Sequence, residues 1–317
     1  MSKVRRQQPQ GQGGGPSLFI SLGIWFAILC WGGAYVAARF LLHPDQAGFV
    51  ALPPLMLAAL RFGIAALFFV VPLLQAIWHR QISGHALVLM ALLGQLTFTL
   101  YYWLQYIGIA QTNASIAAIL GVGLIPLFTT MLAYMFGAER LTLPLVAFLL
   151  LGFLGVALIV FQQPLSVSLH SGFVLGAGCL IANTLFFAIY NNLSKRWMQD
   201  ISPVVLTAGT MISGAIGLLV LSWLDPLSQW QTVRRLHLSQ WLAVLFLALA
   251  CSVGAYFTYN LALSQRDASR VAVYFYVEPL VAIVLGMTLL GEHLTWQTVL
   301  GALAIGGSIL AVNRIKP

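Results

Sequence analysis

Two charged residues stand deep inside runs that are otherwise apolar: Arg61 in "AALRFGIAAL" (58–67) and Glu278 in "RVAVYFYVEPLVAIVLGMTLLGE" (270–292). Counting about eight residues in from the near end of each run puts each charge roughly 12 Å deep. In a hydrocarbon core about 30 Å thick the two then lie at similar depth. A guanidinium and a carboxylate so placed could form a structural ion pair. They could instead hold the carboxylate and amine of a zwitterion, or Glu278 could carry a proton in a hydrated cavity. The residue types leave all three open.

Glu278 immediately precedes Pro279, and a second proline, Pro126, closes "GVGLIP" (121–126). A proline inside a helix removes one backbone hydrogen bond and displaces the carbonyl four residues earlier. Here those carbonyls belong to Val122 and Phe275. At membrane depth such groups are tolerated only against protein or water. The two prolines therefore mark either packed kinks or the broken helices of a binding site.

Polar residues also recur at helical spacing, which collects them on single faces. One stripe holds Gln95, Thr99, Tyr102 and Gln105 or Tyr106, and another holds Ser252, Tyr256 and Asn260. Asn183 and Tyr190 lie seven apart, Trp31 and Tyr35 four apart with Arg39 beyond, and Tyr274 one turn before Glu278. Such stripes suit a hydrated cavity lined by rings and amides, although tyrosine, tryptophan and amides also serve as interfacial anchors and interhelical glue. The candidate substrate-binding set is Trp31, Tyr35, Arg61, Tyr102, Asn183, Tyr190, Tyr256, Tyr274 and Glu278, with Pro126 and Pro279 as candidate hinges. No H-E-x-x-H, G-x-S-x-G or Walker motif is present. The histidines, His43, His79, His85, His170, His237 and His293, fall in connections or at the ends of apolar runs. Enzymatic chemistry, a metal site and a cofactor are accordingly not expected.

What must position these residues follows from composition. Of 317 residues 60% are hydrophobic and 7% charged, and the mean hydropathy is +0.93. A soluble chain of this length needs far more charge to cover its surface. The expected class is an all-α polytopic membrane protein, with ten transmembrane helices near 18–41, 52–75, 86–110, 114–136, 143–161, 172–194, 203–223, 239–263, 270–290 and 295–313. Cys30, Cys179 and Cys251 all fall within these spans, which argues against a disulfide framework. The start, "MSKVRRQQPQGQGGGPS", reads as a disordered basic tail over 1–17.

Charge sets the orientation. With the N-terminus inside, Lys3, Arg5, Arg6, Arg80, Arg140, Lys195, Arg196, Arg266, Arg270, Arg314 and Lys316 lie on the inner side. Only Arg39, Arg234 and Arg235 lie outside. The asymmetry predicts both termini in the cytoplasm of a cell-membrane protein. Short cationic loops beside anionic lipid explain the net charge of +8 without a nucleic-acid partner. The outer pair Arg234/Arg235 belongs to "DPLSQWQTVRRLHLS", a candidate short interfacial helix.

The chain repeats itself. "YWLQYIGIAQTNAS" (102–115) aligns with "YFTYNLALSQRDAS" (256–269), matching Tyr102 to Tyr256 and Gln111 to Gln265. After a slip of one residue, Pro126-Leu127 aligns with Pro279-Leu280, and Glu139-Arg140-Leu141-Thr142 with Glu292-His293-Leu294-Thr295. Two five-helix repeats, 18–161 and 171–314, follow. An odd number of spans in each inverts one copy relative to the other. The charges are not duplicated: Thr210 stands opposite Arg61, and Ile125 opposite Glu278. Glu139 and Glu292 end the fourth and ninth spans, where they are expected to tether loops or cap the following helices. The fifth and tenth spans, nearly devoid of polar groups, look peripheral, and glycines such as Gly172, Gly176 and those of the tenth span allow close packing.

The segments "WGGAYVAARF" (31–40), "AALRFGIAAL" (58–67), "PLFTTMLAYMFGAERLT" (126–142) and "EPLVAIVLGMTLLGEHLT" (278–295), with the duplication, resemble the EamA-type branch of the drug/metabolite transporter superfamily. The likeness covers about residues 18–314. It implies a ten-helix carrier of small metabolites, often an exporter of amino acids or related compounds. Alternating access is the expected mechanism, and without a Walker motif the expected driving force is a gradient, with proton coupling through Glu278 open. An arginine at the position of Arg61 fits that family across diverse substrates, which favours a structural role for it. The resemblance does not fix the substrate, and a channel or lipid scramblase of the same architecture is the alternative.

Overall fold

The computed structural model describes residues 18–42, 48–111, 119–160, 171–281, 284–285 and 295–315. The basic tail, Glu292 and much of the last repeated motif lie outside them. Among the described residues every regular element is helical. Helix α1 is Leu18–Leu42 and α2 is Pro54–Trp78. A third rod runs as α3 (Gly84–Gly94), a π-helical stretch Gln95–Leu100, and α4 (Tyr101–Gln111). A π-helical turn Ile119–Gly123 precedes α5 (Ile125–Met135), followed by α6 (Leu143–Val160). Helices α7 (Ser171–Trp197) and α8 (Pro203–Leu224) lead to a 3-10 turn, Trp230–Arg235, in the loop where a short interfacial helix was expected. The next rod runs as α9 (Leu238–Leu245), a π-helical stretch Phe246–Gly254, and α10 (Ala255–Gln265). Helix α11 (Ala268–Ala272) tightens into a 3-10 turn Val273–Val277 before α-helix resumes at 278, and α12 is Trp296–Arg314.

Seven of these helical runs are long and apolar enough to cross a membrane, and Leu120–Met135 and Leu143–Ile159 are shorter apolar helices. Among the described residues the bundle has one continuous buried core. Local chemistry sets the boundaries. Ser83, Ser202 and Thr295 each accept a backbone N–H from the first turn of the helix they precede. Pro54 and Pro203 occupy first turns, where the missing N–H has no cost.

Helix packing crosses the chain. Helix α2 lies along α8, and α6 along α12; α1 lies along α10, and α4 along α7. The α6–α12 pair is close: a Cβ on Gly301 would stand 2.4 Å from Ile159 and 2.7 Å from the carbonyl of Gly155. Gly306 and Gly307, by contrast, have nothing within 4 Å. The close contact expected of the last span's glycines therefore falls on Gly301.

The irregular segments share a pattern. At the spacing that matches Tyr102 with Tyr256, the π stretch 95–100 falls on 249–254, within the second π stretch. The π turn 119–123 and the 3-10 turn 273–277 each stand just before one of the two prolines. Pro126 lies in the first turn of α5 rather than in mid-helix. The span is thus broken and restarted, not kinked.

Candidate functional site

Three of the irregular stretches, 95–100, 246–254 and 273–277, contribute side chains or carbonyls to one buried region. The Arg61 side chain donates from Nε to Ser252 Oγ at 2.8 Å and from Nη2 to the Cys251 carbonyl at 3.3 Å. Its guanidinium carbon lies 4.8 Å from the Phe62 ring centre and 5.9 Å from that of Tyr102. Trp31 Nε1 donates to the same Cys251 carbonyl at 2.8 Å. Cys251 and Ser252 belong to the second π stretch, where wider winding breaks the usual i to i−4 ladder. A main-chain oxygen thus takes two side-chain donors from other helices. The Cys251 thiol donates to the Cys30 carbonyl at 3.1 Å and faces the Cys30 thiol, tying α1 to the same stretch.

Glu278 is 4% exposed and its Oε1 has no hydrogen-bond partner among the described residues. The Tyr35 hydroxyl approaches its carboxylate, and Arg61 is near enough to interact with it through space. The two charges do not pair, however. Among the described residues the single ion pair within 4.0 Å is Arg270 with Asp267. Arg61 is occupied by Ser252 and Cys251, so the structural ion pair that the sequence allowed is not formed.

Close approach of α1 brings these parts together. A Cβ on Gly32 would stand 2.5 Å from Val281 Cβ and 3.1 Å from the Glu278 carbonyl. Only glycine lets α1 lie against the turn that carries Glu278, with Trp31 and Tyr35 on either side of the contact. Trp31 then stacks on Phe275, with ring centres 5.4 Å apart and planes at 10°. Tyr256 and Tyr259 meet the indole at 5.1 and 5.2 Å, and Phe187 at 6.5 Å. Phe62 and Phe98 continue the cluster towards Tyr102 and Tyr256.

Among the candidates read from sequence, Trp31, Tyr35, Arg61, Tyr102, Tyr256 and Glu278 gather in this region. Tyr274 goes elsewhere and packs edge-on against Trp25 at 5.3 Å. Its expected alignment with Glu278 assumed α-helical winding. In the 3-10 turn residues three apart eclipse instead, so Phe275 takes that line. The same winding lets the Phe275 carbonyl accept the Glu278 N–H, so it is not left free beside Pro279. Asn183 is fully buried next to Thr184, with its Nδ2 unpartnered among the described residues.

Tyr190 lies in a second polar network nearer the 195–203 and 265–270 ends of the helices. Asn260 Nδ2 donates to Tyr190 Oη at 2.6 Å and to Thr207 Oγ1 at 2.8 Å. Tyr259 donates to Asn191 Oδ1, and Asn191 donates to Thr129 Oγ1, both at 3.1 Å. Beyond it lies a charged layer. Lys195 donates to the Arg266 carbonyl, Arg266 to Ser21 Oγ at 2.7 Å, and Arg270 to the Ile315 carbonyl at 2.6 Å. Glu139 accepts the Ser269 N–H at 3.3 Å and so caps α11, rather than the helix that follows Glu139 itself.

Residues at corresponding repeat positions differ in burial. Tyr102, Gln105 and Tyr106 are partly exposed, whereas Tyr256, Tyr259 and Asn260 are buried. Phe98 stands where Ser252 stands in the second half, sealed between Phe62 and Tyr256. The Phe275 ring, Phe187, Tyr259 and the Cys251 carbonyl went unmarked in the sequence, and the π winding that exposes the carbonyl has no sequence signature.

Comparison with known proteins supplies the family. The profile of the EamA-like transporter family matches residues 18–161 and again 174–314. An uncharacterized transporter of Archaeoglobus fulgidus is 26% identical over 289 residues, covering 90% of this chain and 95% of that one. The uncharacterized transporter YyaM of Bacillus subtilis is 26% identical over 288 residues, at 89% and 91% coverage. The uncharacterized inner membrane transporter YedA of Escherichia coli is 28% identical over 294 residues, at 92% and 88%. One solved crystal structure superposes with a TM-score of 0.76 at 20% identity, covering 92% of this chain and 95% of that one, a likeness of fold alone. An integral, multi-pass helical protein with a buried aromatic and polar centre, this chain belongs to the EamA-like transporter family.

Proposed function

We propose that this chain is a secondary transporter of small metabolites, an exporter of amino acids or related compounds, working by alternating access around the Arg61–Glu278 region. The observation that carries the reading is the buried Glu278 carboxylate, met by the Tyr35 hydroxyl but with its Oε1 lacking a donor among the described residues. An ionisable group at such depth marks a substrate or ion pathway in most membrane proteins. Ten spans in two inverted repeats, 18–161 and 171–314, are the proposed architecture. The reciprocal pairing of α1 with α10 and of α4 with α7 supports it, since a two-fold relation exchanges one pair for the other. Both termini lie in the cytoplasm, in a cell or inner membrane.

On this reading Pro126 and Pro279 restart helices at the hinge level, and Trp31, Tyr35, Tyr102, Tyr256 and Glu278 contact substrate. Arg61 positions the second π stretch, while Asn183, Tyr190 and Tyr274 support from behind. The polar network and charged layer around Tyr190 and Arg266 close the cytoplasmic side, whereas Tyr35, at 43% exposure, borders the outer side. Opening inward would separate the first and hydrate the second. A proton gradient acting through Glu278 is the proposed driving force.

Reconstituted protein tests this by counterflow. Liposomes preloaded with an amino-acid mixture should accumulate labelled amino acids saturably, and an imposed proton gradient should bias the exchange. Flux that rises linearly with concentration would indicate a channel instead, and movement of labelled lipid a scramblase.

A further inference from the structure

The two charges at the site are not equivalent. Arg61 is held on Ser252 Oγ and the Cys251 carbonyl and lies against the Phe62 and Tyr102 rings. A guanidinium fixed in this way acts as a strut between α2 and the second π stretch. Glu278 differs: its Oε1 has no donor among the described residues, and Tyr35 is the hydroxyl that approaches its carboxylate. An ionised carboxylate can only accept, and a buried one without donors is costly. At Oε1 the region therefore lacks a donor, not an acceptor.

Its walls point the same way. Trp31 meets Phe275 and Tyr256, and Phe62 links Tyr256 to Tyr102, so one cluster of rings fills the buried region that holds Glu278. Aromatic faces attract ammonium groups through the ring quadrupole, most strongly when water is excluded. They also receive an apolar body. A carboxylate on the ligand would meet only the remainder of the Arg61 guanidinium, because its Nε and Nη2 already bond Ser252 and Cys251.

We infer that the site selects small organic amines, seating the ammonium on Glu278 and an apolar or aromatic body among Trp31, Tyr102, Tyr256 and Phe275, with no requirement for a ligand carboxylate. This rests on the transporter reading of the same site and narrows it from zwitterions to amines.

Three ligands with one ring and different charges test it: phenethylamine, phenylalanine and 3-phenylpropionate. Each is titrated against the purified full chain in lipid nanodiscs, and its counterflow is measured in liposomes. Phenethylamine should bind and exchange, phenylalanine more weakly, and 3-phenylpropionate not at all. Glu278→Gln should weaken phenethylamine by about tenfold to a hundredfold, as loss of a charge-assisted contact does, with unchanged thermal unfolding. Tyr35→Phe should weaken it by less than Glu278→Gln.

Preference for phenylalanine or 3-phenylpropionate over phenethylamine would overturn the amine assignment. So would a folded Glu278→Gln variant that binds phenethylamine like the wild type. Saturable exchange of other amino acids without any amine binding would sink the substrate class and leave the transporter reading intact. Absence of all binding and all exchange would sink both.

Discussion

Replacing Gly32 with alanine probes the contact on which the whole site depends. The new Cβ would fall 2.5 Å from Val281 Cβ, 2.7 Å from Val281 Cγ1 and 3.1 Å from the Glu278 carbonyl. Carbon atoms pack at about 3.5–4.0 Å, so α1 must retreat by roughly an ångström. The nearest obstacle is a β-carbon and not the tip of a flexible chain, so a rotamer change does not relieve it. Overpacking of this kind costs about 1–3 kcal/mol. The retreat would also carry Trp31 away from Phe275 and Tyr35 away from Glu278. Thermal unfolding in detergent reads the stability, and ligand titration reads the site. A companion change, Val281→Gly, removes the two shortest contacts at a helical cost of about 1 kcal/mol of its own. The double variant should be more stable than the sum of the singles by about 1 kcal/mol or more, the coupling expected of residues in direct contact. A Gly32→Ala protein that unfolds with the wild type, or singles that simply add, would refute the close approach.

Treatment with copper phenanthroline should join Cys30 to Cys251, since one thiol rests on the other residue's carbonyl; a linked peptide in non-reducing mass spectrometry checks this, and its absence after full oxidation counts against the packing of α1 on the second π stretch. Tyr276→Phe deletes the 2.9 Å bond to the Leu149 carbonyl and should lower stability by about 1 kcal/mol in thermal unfolding. Glu139→Ala should cost about 1 kcal/mol through loss of the cap on Ser269. Glu139→Gln keeps an accepting oxygen and should unfold close to the wild type. Equal loss in both would mean that charge, not the cap, is what matters there.

The membrane class and the positions of most helices were legible because they depend on sums over many residues. Hydropathy marked α1, α2, α7, α8 and α12, and seryl or threonyl caps with first-turn prolines fixed several ends. The burial of Arg61 and Glu278 was legible for the same reason. Their relation was not. Whether two groups at one level meet depends on helix rotation, and here Ser252 and the Cys251 carbonyl reach Arg61 first. Periodicity also failed wherever the winding changed. A uniform 3.6-residue period placed Tyr274 with Glu278, whereas the 3-10 turn substitutes Phe275. The π stretches 95–100 and 246–254 are stabilised by tertiary contacts and not by local preference, so Gln95, Thr99 and Cys251 found their partners only in the folded bundle.

The bond from Arg61 to Ser252 also bears on ancestry. If the halves descend from one duplicated gene, the ancestral half would have paired with an inverted copy of itself. The present first half could no longer do so. In such a homodimer Arg61 would meet the counterpart of Phe98 instead of a serine hydroxyl and would keep only a main-chain carbonyl as acceptor. The second half, with Thr210 at the position of Arg61 and its hydroxyl turned to Leu206 in its own helix, would leave Ser252 without its guanidinium. On the proposed architecture of two inverted repeats, only heterotypic assembly would satisfy this bond. Residues 18–161 and 171–314 expressed as separate chains should therefore recover folded protein only when made together.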